Sequence, residues 1–571
     1  MNQRIQCIYV EKSNNFRMFV PFNLTGYIRA LPSRRYNEKD KTWTVPGIHR
    51  NIKALADMPK DVIEFNHIAR AAIERGLEKE NAKHINTVGF PSWYRFKTTP
   101  RPKQLEALNV VYDKKSAALF MDMRTGKSKT IVDLACAYIM ENKVEIVLIM
   151  CPISIKTNWV DQIDAHSPIK FNCHLLDTGK RKKFENWLEE SPDDGPKMLI
   201  VGVESLAAGS ATEYCRRFLL TSKKSLMVVD ESSKIKNHKA IRTDNCITLG
   251  LMAEYRAILT GSPIANGPID LYAQFEFLDP DIIGMGDFYS FRNRYCILGG
   301  YENKQVIGYD NLEELMELIK PYTYVVTQSE VFDRLPEKIY TTRVVTLSKE
   351  QKKHYDAMKE TRTVEDGDKE LTVKNALEKM MRLQEITGGH VSFRATSENE
   401  EDKIKYERFR ISGPNPKMIE LIDCINEIIG SVIIWAQFRD EIDMIVEELE
   451  KTYGKGSVVE FHGGISEEDR HFNRKAFQNK EARFFVGNTS TGGMGLELSA
   501  ANTMIYYSNS FNFIDRMQSV ERAFEASKEN ILIVDIIASK TVDISIMAAL
   551  QLKQDMSDYV ITALAKGEEL F

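Results

Sequence analysis

The sequence predicts an α/β protein with two sets of parallel strands, led by a small α+β domain. Three observations predict it. From about residue 95, short apolar runs alternate with amphipathic helical stretches, the pattern of parallel layers covered by helices. A helix-rich, charged region from about 280 to 415 interrupts that rhythm, which then returns, so the strands fall into two groups. The first ninety or so residues are instead compact and turn-punctuated.

In chain order, IQCIYV and FRMFVPF read as strands, and LPSRRYNEKDKTWTVPG supplies turns and an aromatic-rich run. IEFNHIARAAIERGLEKENAK reads as a helical stretch, and GFPSWYRFKTTPRPKQ as a connector. The first α/β set is AALFMDM with helical KSKTIVDLACAYIM, then EIVLIMC, KMLIVGV, SLMVVDE and YRAILTG. SFRATSENEEDKIKYERFR, in the charged region, reads as an exposed hairpin or loop. SVIIWAQ, SVVEFHG, ARFFVGN, TMIYYSN and ILIVDII make the second set. Two sets suggest two lobes around a cleft, and the domains are expected at residues 1–90, 91–325 and 326–571.

Composition narrows the function classes. With 43% hydrophobic and 28% charged residues, the chain has the make-up of a soluble globular protein. No apolar run nears the roughly 20 residues of a membrane span, and MNQRIQCIYVEKSNN lacks the apolar core of an export signal. A cytoplasmic location and no membrane partner are expected. The eight cysteines (Cys7, Cys136, Cys151, Cys173, Cys215, Cys246, Cys296, Cys424) form no C-x-x-C pair, and the ten histidines show no metal-ligand spacing. That argues against a structural metal and against a disulfide framework. A net charge of −4 means that any nucleic-acid contact needs its cations gathered on one face or in one cleft.

Residues 121–130 read MDMRTGKSKT. Gly126-Lys127-Ser128 is how a phosphate-binding loop finishes, although Met121 stands where the usual pattern has another glycine. The stretch follows apolar AALFM and precedes helical TIVDLACAYIM, and a helix start offers free N–H groups to phosphate. Lys127 would reach the β and γ phosphates, and Ser128 would help hold Mg²⁺. Alone, the stretch reads equally as a basic helix start. SLMVVDES then sets Asp230 and Glu231 at the end of an apolar strand, the place for a metal-holding aspartate and a water-activating glutamate. An acidic pair in a surface turn is the bland alternative; the two motifs in order favour a nucleotide site.

RPKQ (101–104), DMRTGKS (122–128), CPISIKTNW (151–159), DESSKIKN (230–237) and LTGSPIANG (259–267) follow one another. FRNRYC (291–296), LPEK (335–338), FHGGISEEDR (461–470), TSTGGMGLEL (489–498) and QSVER (518–522) come after them. This ordered set, over roughly residues 95–550, resembles the Snf2-type members of superfamily 2, ATP-driven translocases of double-stranded DNA. The resemblance implies two RecA-like lobes with helical insertions, and ATP with Mg²⁺ as cofactors. It implies that Arg101 and Gln104 read adenine, that Thr125, Gly126, Lys127 and Ser128 hold phosphates, and that Ser128 and Asp230 hold the metal. Thr260, Ser262 and Asn266 would link nucleotide state to the grip on DNA. Trp159, Thr491, Gly492 and Gly493 would face the DNA backbone, where glycines let N–H groups approach phosphates closely. Gln518 and Arg522 would reach the γ-phosphate from the second lobe, and closure would couple hydrolysis to stepping. Lys127, Asp230, Glu231 and Arg522 are the expected catalytic residues.

Three departures stand out. Arg124 replaces a usual glycine, and the usual D-E-A-H is Asp230-Glu231-Ser232-Ser233. Glu525 stands where the family carries a second arginine, a group worth roughly 10³–10⁵ in rate. Glu525 is an inactivating or natural departure, or Lys528 substitutes for the arginine, or the alignment slips; the sequence leaves all three open. Weak ATP turnover is the expectation.

YIRALPSRRYNEKDKTWTVPG mixes cations with Tyr36 and Trp43, which suits phosphate contact plus stacking on a base. A small domain with Trp43 in its core and solvated charges is the other reading. The segment resembles the HARP module of annealing helicases; if so, Arg34, Arg35, Lys41 and Trp43 would contact branched DNA. The run GKRKKFENW (179–187) reads as a solvated helix face, with a DNA contact as the alternative. The function expected is an ATP-dependent motor on duplex DNA that remodels forks and branches. An ATP-gated DNA-binding protein with little hydrolysis, or a motor that displaces DNA-bound proteins, are the competing expectations. A bacterial or viral origin would suit so compact a motor.

Overall fold

Parallel strands need both faces covered, and the apolar runs of this chain supply two such sheets. The computed structural model describes residues 4–10, 15–31, 34–38, 40–83, 89–190, 195–300, 305–333, 335–360, 363–366, 369–372, 376–394, 406–492, 498–523, 528 and 530–566. The chain divides into two units, Met1–Val331 with Ser557–Phe571, and Phe332–Met556.

The first unit opens with a five-stranded sheet in the order Arg35–Asn37, Thr42–Pro46, Asn15–Phe19, Ile5–Val10, Ile63–Phe65. Alternation turns Ile5, Cys7, Phe16, Met18 and Val45 to one face, where they pack with Ile28, Ile52, Leu55 and Ile73. The sequence predicts a helical stretch from Ile63. Instead Ile63–Phe65 pair in parallel with Ile5–Cys7, and the helix runs over His67–Lys83. Asn66 explains the boundary: its side-chain oxygen accepts from the Ala69 N–H at 2.7 Å, an N-cap that fixes where the helix begins.

The same unit holds a seven-stranded sheet in the order Thr323–Val326, Ser116–Met121, Tyr255–Thr260, Ser225–Asp230, Ile146–Cys151, Lys197–Gly202, Asn172–Leu175. Every pairing is parallel. Phe120, Leu148, Val229 and Ile258 pack on one face, and Leu119, Ile149, Val228 and Leu259 on the other. The two edge strands were not legible as apolar runs.

The connector near residue 90 is packed rather than loose. Phe90 and Phe96 stack at 5.7 Å, and Tyr94 meets both edge-on. The Tyr94 hydroxyl donates to Asp133 at 3.0 Å, and Asp133 is paired with Lys129 at 2.6 Å, both charges being buried. This clasp joins the connector, which leads into the helix Pro102–Val111, to the helix Lys127–Met140. The amino-terminal module is tied to the helix Leu312–Ile319 by Arg50, whose guanidinium donates to Glu314 at 2.6 Å. Burial alone would raise the Glu314 carboxyl, but bonds from Arg294, Arg50 and Tyr295 hold it down to about 2.

The second unit is a six-stranded parallel sheet in the order Glu337–Val345, Asn530–Ala538, Ala501–Tyr506, Ser431–Trp435, Phe484–Gly487, Val458–Phe461. Its edge strand Glu337–Val345 comes from the charged region expected to be mainly helical. Nine residue pairs with Asn530–Ala538 settle it as a strand. The expected exposed hairpin or loop is a hairpin at its base, His390–Arg394 paired with Tyr406–Arg410. Among the described residues, no helix is long and apolar enough to cross a membrane.

Removing Asp133 leaves the Lys129 ammonium buried without its carboxylate. Asp133→Ala is expected to lower stability by about 3–5 kcal/mol in urea denaturation, whereas Arg181→Ala, which breaks an exposed pair with Glu185, should change it by less than about 1 kcal/mol.

Candidate functional site

Three neighbouring strands of the first unit end together. Phe120 lies beside Thr260, and Leu259 beside Asp230, so the parallel register brings the loop after Met121, the Thr260 loop and Asp230 to one sheet edge. The carboxyl ends of parallel strands are where open α/β sheets bind ligands.

The loop 122–126 turns on two left-handed residues, Arg124 (φ 65°) and Gly126 (φ 101°). Met121 has no such requirement: it is the last, buried residue of its strand, so the absent glycine costs nothing there. Glycine suits position 126 because φ 101° is a backbone region that L side chains rarely adopt, and a Cβ there would also push aside the Gln104 amide. Arg124 accounts physically for the family's usual glycine, since an L-residue in this region costs about 1–2 kcal/mol. Thr125 is buried and its hydroxyl donates to Asp122 O at 2.7 Å. The Lys127 ammonium donates to Met121 O and Asp122 O at 2.7 and 3.2 Å. Ser128 follows in the first turn of the helix Lys127–Met140, where N–H groups lack helical acceptors. Gln104 bonds Thr125 O (3.3 Å), and Arg101 bonds Arg124 O (3.1 Å), so both expected adenine readers sit against this loop.

Asp230 is 6% exposed. Its carboxylate accepts from the Trp159 ring nitrogen and from the Glu231 N–H, each at 3.0 Å. Burial pushes the carboxyl up to about 7, the Glu231 charge adds to that, and the Lys127 ammonium opposes it. Glu231 has φ 52°, which turns the chain sharply at the strand end. Trp159 corrects an expectation: it is 2% exposed, so the indole orients Asp230 and offers no surface to a DNA backbone.

Thr260 and Ser262 are buried, and the Ser262 N–H donates to the Thr260 hydroxyl at 3.0 Å. The Ala265 and Asn266 N–H groups both donate to Asp270, at 2.8 and 2.7 Å. Three positioning residues escaped the sequence reading. Asp270 shapes the 260–267 loop; Gln274 accepts from the Ser232 hydroxyl (2.6 Å) and donates to Pro263 O (2.7 Å), joining two motifs. Gln328 donates to Met123 O at 3.2 Å, and its N–H to Asp122 at 2.9 Å. Gln274 had a visible signal: it is a polar residue inside apolar LYAQFEFL, and a buried amide must find partners.

In the second unit, Gln518 and Arg522 are both 6% exposed. They lie on the helix Phe513–Val520 and the turn Glu521–Ala523. Arg516 fixes that helix, with two 2.8 Å bonds to Asp535 and its guanidinium 3.3 Å from the Tyr506 ring centre. Thr491 and Gly492 close the short helix Thr489–Gly492; Gly493 and Glu525 lie outside the described residues. Lys528 donates to Ala501 O (2.7 Å) and Ala523 O (2.6 Å).

The amino-terminal candidates do not share a face. Tyr36 pairs with Trp43 and Arg35 with Thr44, so alternation turns Arg35 away from Trp43. Trp43 packs on the module's core and meets the Tyr36 ring at a tilt, with centres 5.1 Å apart. Arg34 donates to Leu31 O at 2.6 Å, and Lys41 is an exposed turn residue with φ 52°. Arg17 pairs with Thr44 from the other side, so Arg17 and Arg35 flank it on one row. Elsewhere, Asp443, Glu460 and His462 bring ligand atoms within 4.8 Å, a grouping that residue spacing did not reveal. His462 is already committed there, accepting from the Gly464 N–H and bonding Glu460.

The first unit's edge fits a nucleoside triphosphate with a divalent cation. A glycine cradle, a helix start, an ammonium held on carbonyls it can exchange, and a buried carboxyl that a cation would ionise meet there.

The chain matches the SNF2-related domain over residues 55–389, and the helicase conserved C-terminal domain over residues 416–527. It belongs to the SNF2-related family, and its two parallel sheets are the family's two RecA-like lobes. The SWI/SNF-related matrix-associated actin-dependent regulator of chromatin subfamily A-like protein 1 homolog of Caenorhabditis elegans is 24% identical, over 94% of this chain and 73% of that protein. The chromodomain-helicase-DNA-binding protein 1-like of Danio rerio is 23% identical, over 72% of this chain and 39% of that protein. The chain thus spans well under half of that relative. A Sulfolobus solfataricus SWI2/SNF2 ATPase core in complex with dsDNA is 20% identical, covers 84% of this chain and 97% of its own, and gives a TM-score of 0.37.

The raised Asp230 carboxyl makes a stability prediction. Folded Asp230 holds its proton to higher pH than in the unfolded chain, so the native state loses stability as pH rises from about 4 to about 7. Asp230→Asn removes that loss. Its urea midpoint, without nucleotide or magnesium, should exceed the parent's clearly at about pH 8 and little at about pH 4; an equal gain at both would refute the assignment.

Proposed function

We propose that the chain is an ATP- and Mg²⁺-dependent motor that moves along double-stranded DNA and remodels forked or branched DNA. The observation that carries the reading is the meeting of the Lys127 loop, Asp230 and the Thr260 loop at one edge of a parallel sheet. In this reading Arg101 and Gln104 hold adenine, and backbone N–H groups at Thr125, Gly126 and Lys127 take phosphate oxygens. The Lys127 ammonium exchanges its two carbonyl acceptors for the β and γ phosphates. Ser128 and Asp230 would hold Mg²⁺, which supplies charge neutralisation on the phosphates. Glu231 orients and deprotonates the attacking water. Thr260, Ser262 and Asn266 transmit nucleotide state through the Asp270 and Gln274 bonds. Gln518 and Arg522 are the second unit's nucleotide-binding residues. Thr491, Gly492 and Gly493 take DNA phosphates.

DNA as partner is supported by the family and by the name of the Danio rerio relative, a helicase-DNA-binding protein. The branch preference is assigned to the amino-terminal module, residues 1–90, as a HARP-like element. The match to the Caenorhabditis elegans homolog over 94% of the chain supports including that segment. Its contact face is better drawn through Arg35 and Arg17 than through Trp43, given the strand register. Glu525 supports a second reading, an ATP-gated DNA-binding protein with little turnover, because a carboxylate near a γ-phosphate repels it.

An ATPase assay with no DNA, linear duplex and forked duplex tests this. The motor reading expects stimulation by duplex, greater by forks, and at least a ~100-fold loss in Lys127→Ala. Glu525→Arg should speed hydrolysis at least ~10-fold if position 525 faces the phosphate. Hydrolysis indifferent to DNA in both proteins would count against the motor, and binding without turnover would favour the gated form.

A further inference from the structure

One residue of the phosphate loop breaks the pattern around it. The Thr125 N–H donates to Asp122 O at 3.4 Å, closing a turn over residues 122–125 in which Arg124 is the third residue. With φ 65°, Arg124 occupies the turn position where glycine or asparagine is favoured. The surroundings hold it there. Gln328 donates to Met123 O, the Arg101 guanidinium to Arg124 O, and the Thr125 hydroxyl to Asp122 O. All three acceptors are backbone carbonyls, which the turn would present equally with glycine at 124.

Conformation alone assigns no role, because Lys41, Lys480 and Lys540 are also exposed turn residues at positive φ. Position does. Asp122 O, which opens the turn, also accepts from the Lys127 ammonium at 3.2 Å. Arg124 therefore belongs to the turn that folds back onto the ammonium assigned to the β and γ phosphates. Thr125 beside it is buried, whereas Arg124 is exposed, so the turn keeps its hydroxyl inside and its guanidinium at the surface.

Phosphoryl transfer also needs positive charge. Negative charge spreads over the three equatorial oxygens in the transition state, and an arginine placed there is worth roughly 10³–10⁵ in rate. QSVERAFE offers Arg522 but carries Glu525 where the family has a second arginine. A planar guanidinium matches two phosphate oxygens at once, which an ammonium does not.

We propose that Arg124 is a catalytic residue whose guanidinium binds the γ-phosphate of ATP from within the first unit's own loop. The inference rests on the nucleotide reading of that loop. In the step, the oxygen of water bonds to the γ-phosphorus while the bond to the bridging oxygen breaks. The bridging oxygen keeps the electron pair and leaves as part of ADP. One water proton passes to Glu231, and the other stays with the inorganic phosphate. Arg124 remains protonated throughout, a fixed counter-charge to the γ-oxygens. The competing role for an exposed guanidinium is a contact to adenine or ribose, which would serve ADP and ATP alike.

The test uses the full chain and its variants Arg124→Gly and Arg124→Lys. Calorimetry gives their affinities for ADP and for a non-hydrolysable ATP analogue, each with Mg²⁺. Arg124→Gly should weaken binding of the analogue at least ~10-fold and of ADP less than ~3-fold. Turnover at saturating ATP should fall at least ~10-fold. Arg124→Lys keeps the charge without the fork, so its affinity for the analogue should be intermediate. Glycine suits φ 65°, so the ligand-free melting temperature of Arg124→Gly should hold or rise. The proposal is overturned if Arg124→Gly leaves the analogue's affinity unchanged, or lowers it no more than that of ADP. A melting temperature that falls with the affinities would return Arg124 to a structural role and overturn it too. If the parent chain binds neither nucleotide, the reading of the loop fails as well. If the parent binds both and Arg124→Gly binds them as tightly, this inference fails alone.

Discussion

The site depends on register. Three parallel strands, Ser116–Met121, Tyr255–Thr260 and Ser225–Asp230, are hydrogen-bonded so that their carboxyl ends finish together. A slip of one residue would turn every side chain to the opposite face and exchange the two apolar sets between cores that are packed around the present ones. The hydrophobic effect therefore fixes the position of polar groups that contribute nothing to it. Lys127, Asp230 and Thr260 are held where they are because Leu119, Val228 and Ile258 are buried.

On that frame, polar bonds adjust the details. Trp159 and the Glu231 N–H hold the Asp230 carboxylate, and Gln274 connects Ser232 to the loop after Thr260. Gln328 braces the phosphate loop through Asp122 and Met123. Each is a buried polar group with its partners found, so a change at one leaves the others unsatisfied. Two of the eight described non-glycine residues at positive φ, Arg124 and Glu231, lie at this edge, where backbone must be aimed at a ligand.

Much of this is legible in the sequence alone. Strands such as IVLIMC and SLMVVD are apolar throughout because they are covered on both faces, and that signal survives without tertiary knowledge. The strand Glu337–Val345 was hidden because it is an edge strand whose residues alternate between exposed and half-buried. Ile63–Phe65 were hidden because three residues cannot announce a partner sixty positions away. For the site, Gly126, Lys127 and Asp230 could be read from local pattern, whereas Asp270, Gln274 and Gln328 act only through contacts the fold creates. Trp159 shows the limit in reverse: its motif placed it near DNA, and its burial turns it to Asp230. Arg35 teaches the same lesson, since the strand register turns it to the face opposite Tyr36 and Trp43.

Backbone hydrogen exchange tests the central claim directly. With a non-hydrolysable ATP analogue and Mg²⁺ bound, amides from Arg124 to Thr130 and around Glu231 should exchange markedly more slowly, while the amino-terminal sheet stays unchanged. If the analogue binds and those amides exchange as fast as before, the aligned strand ends are not where the triphosphate is held.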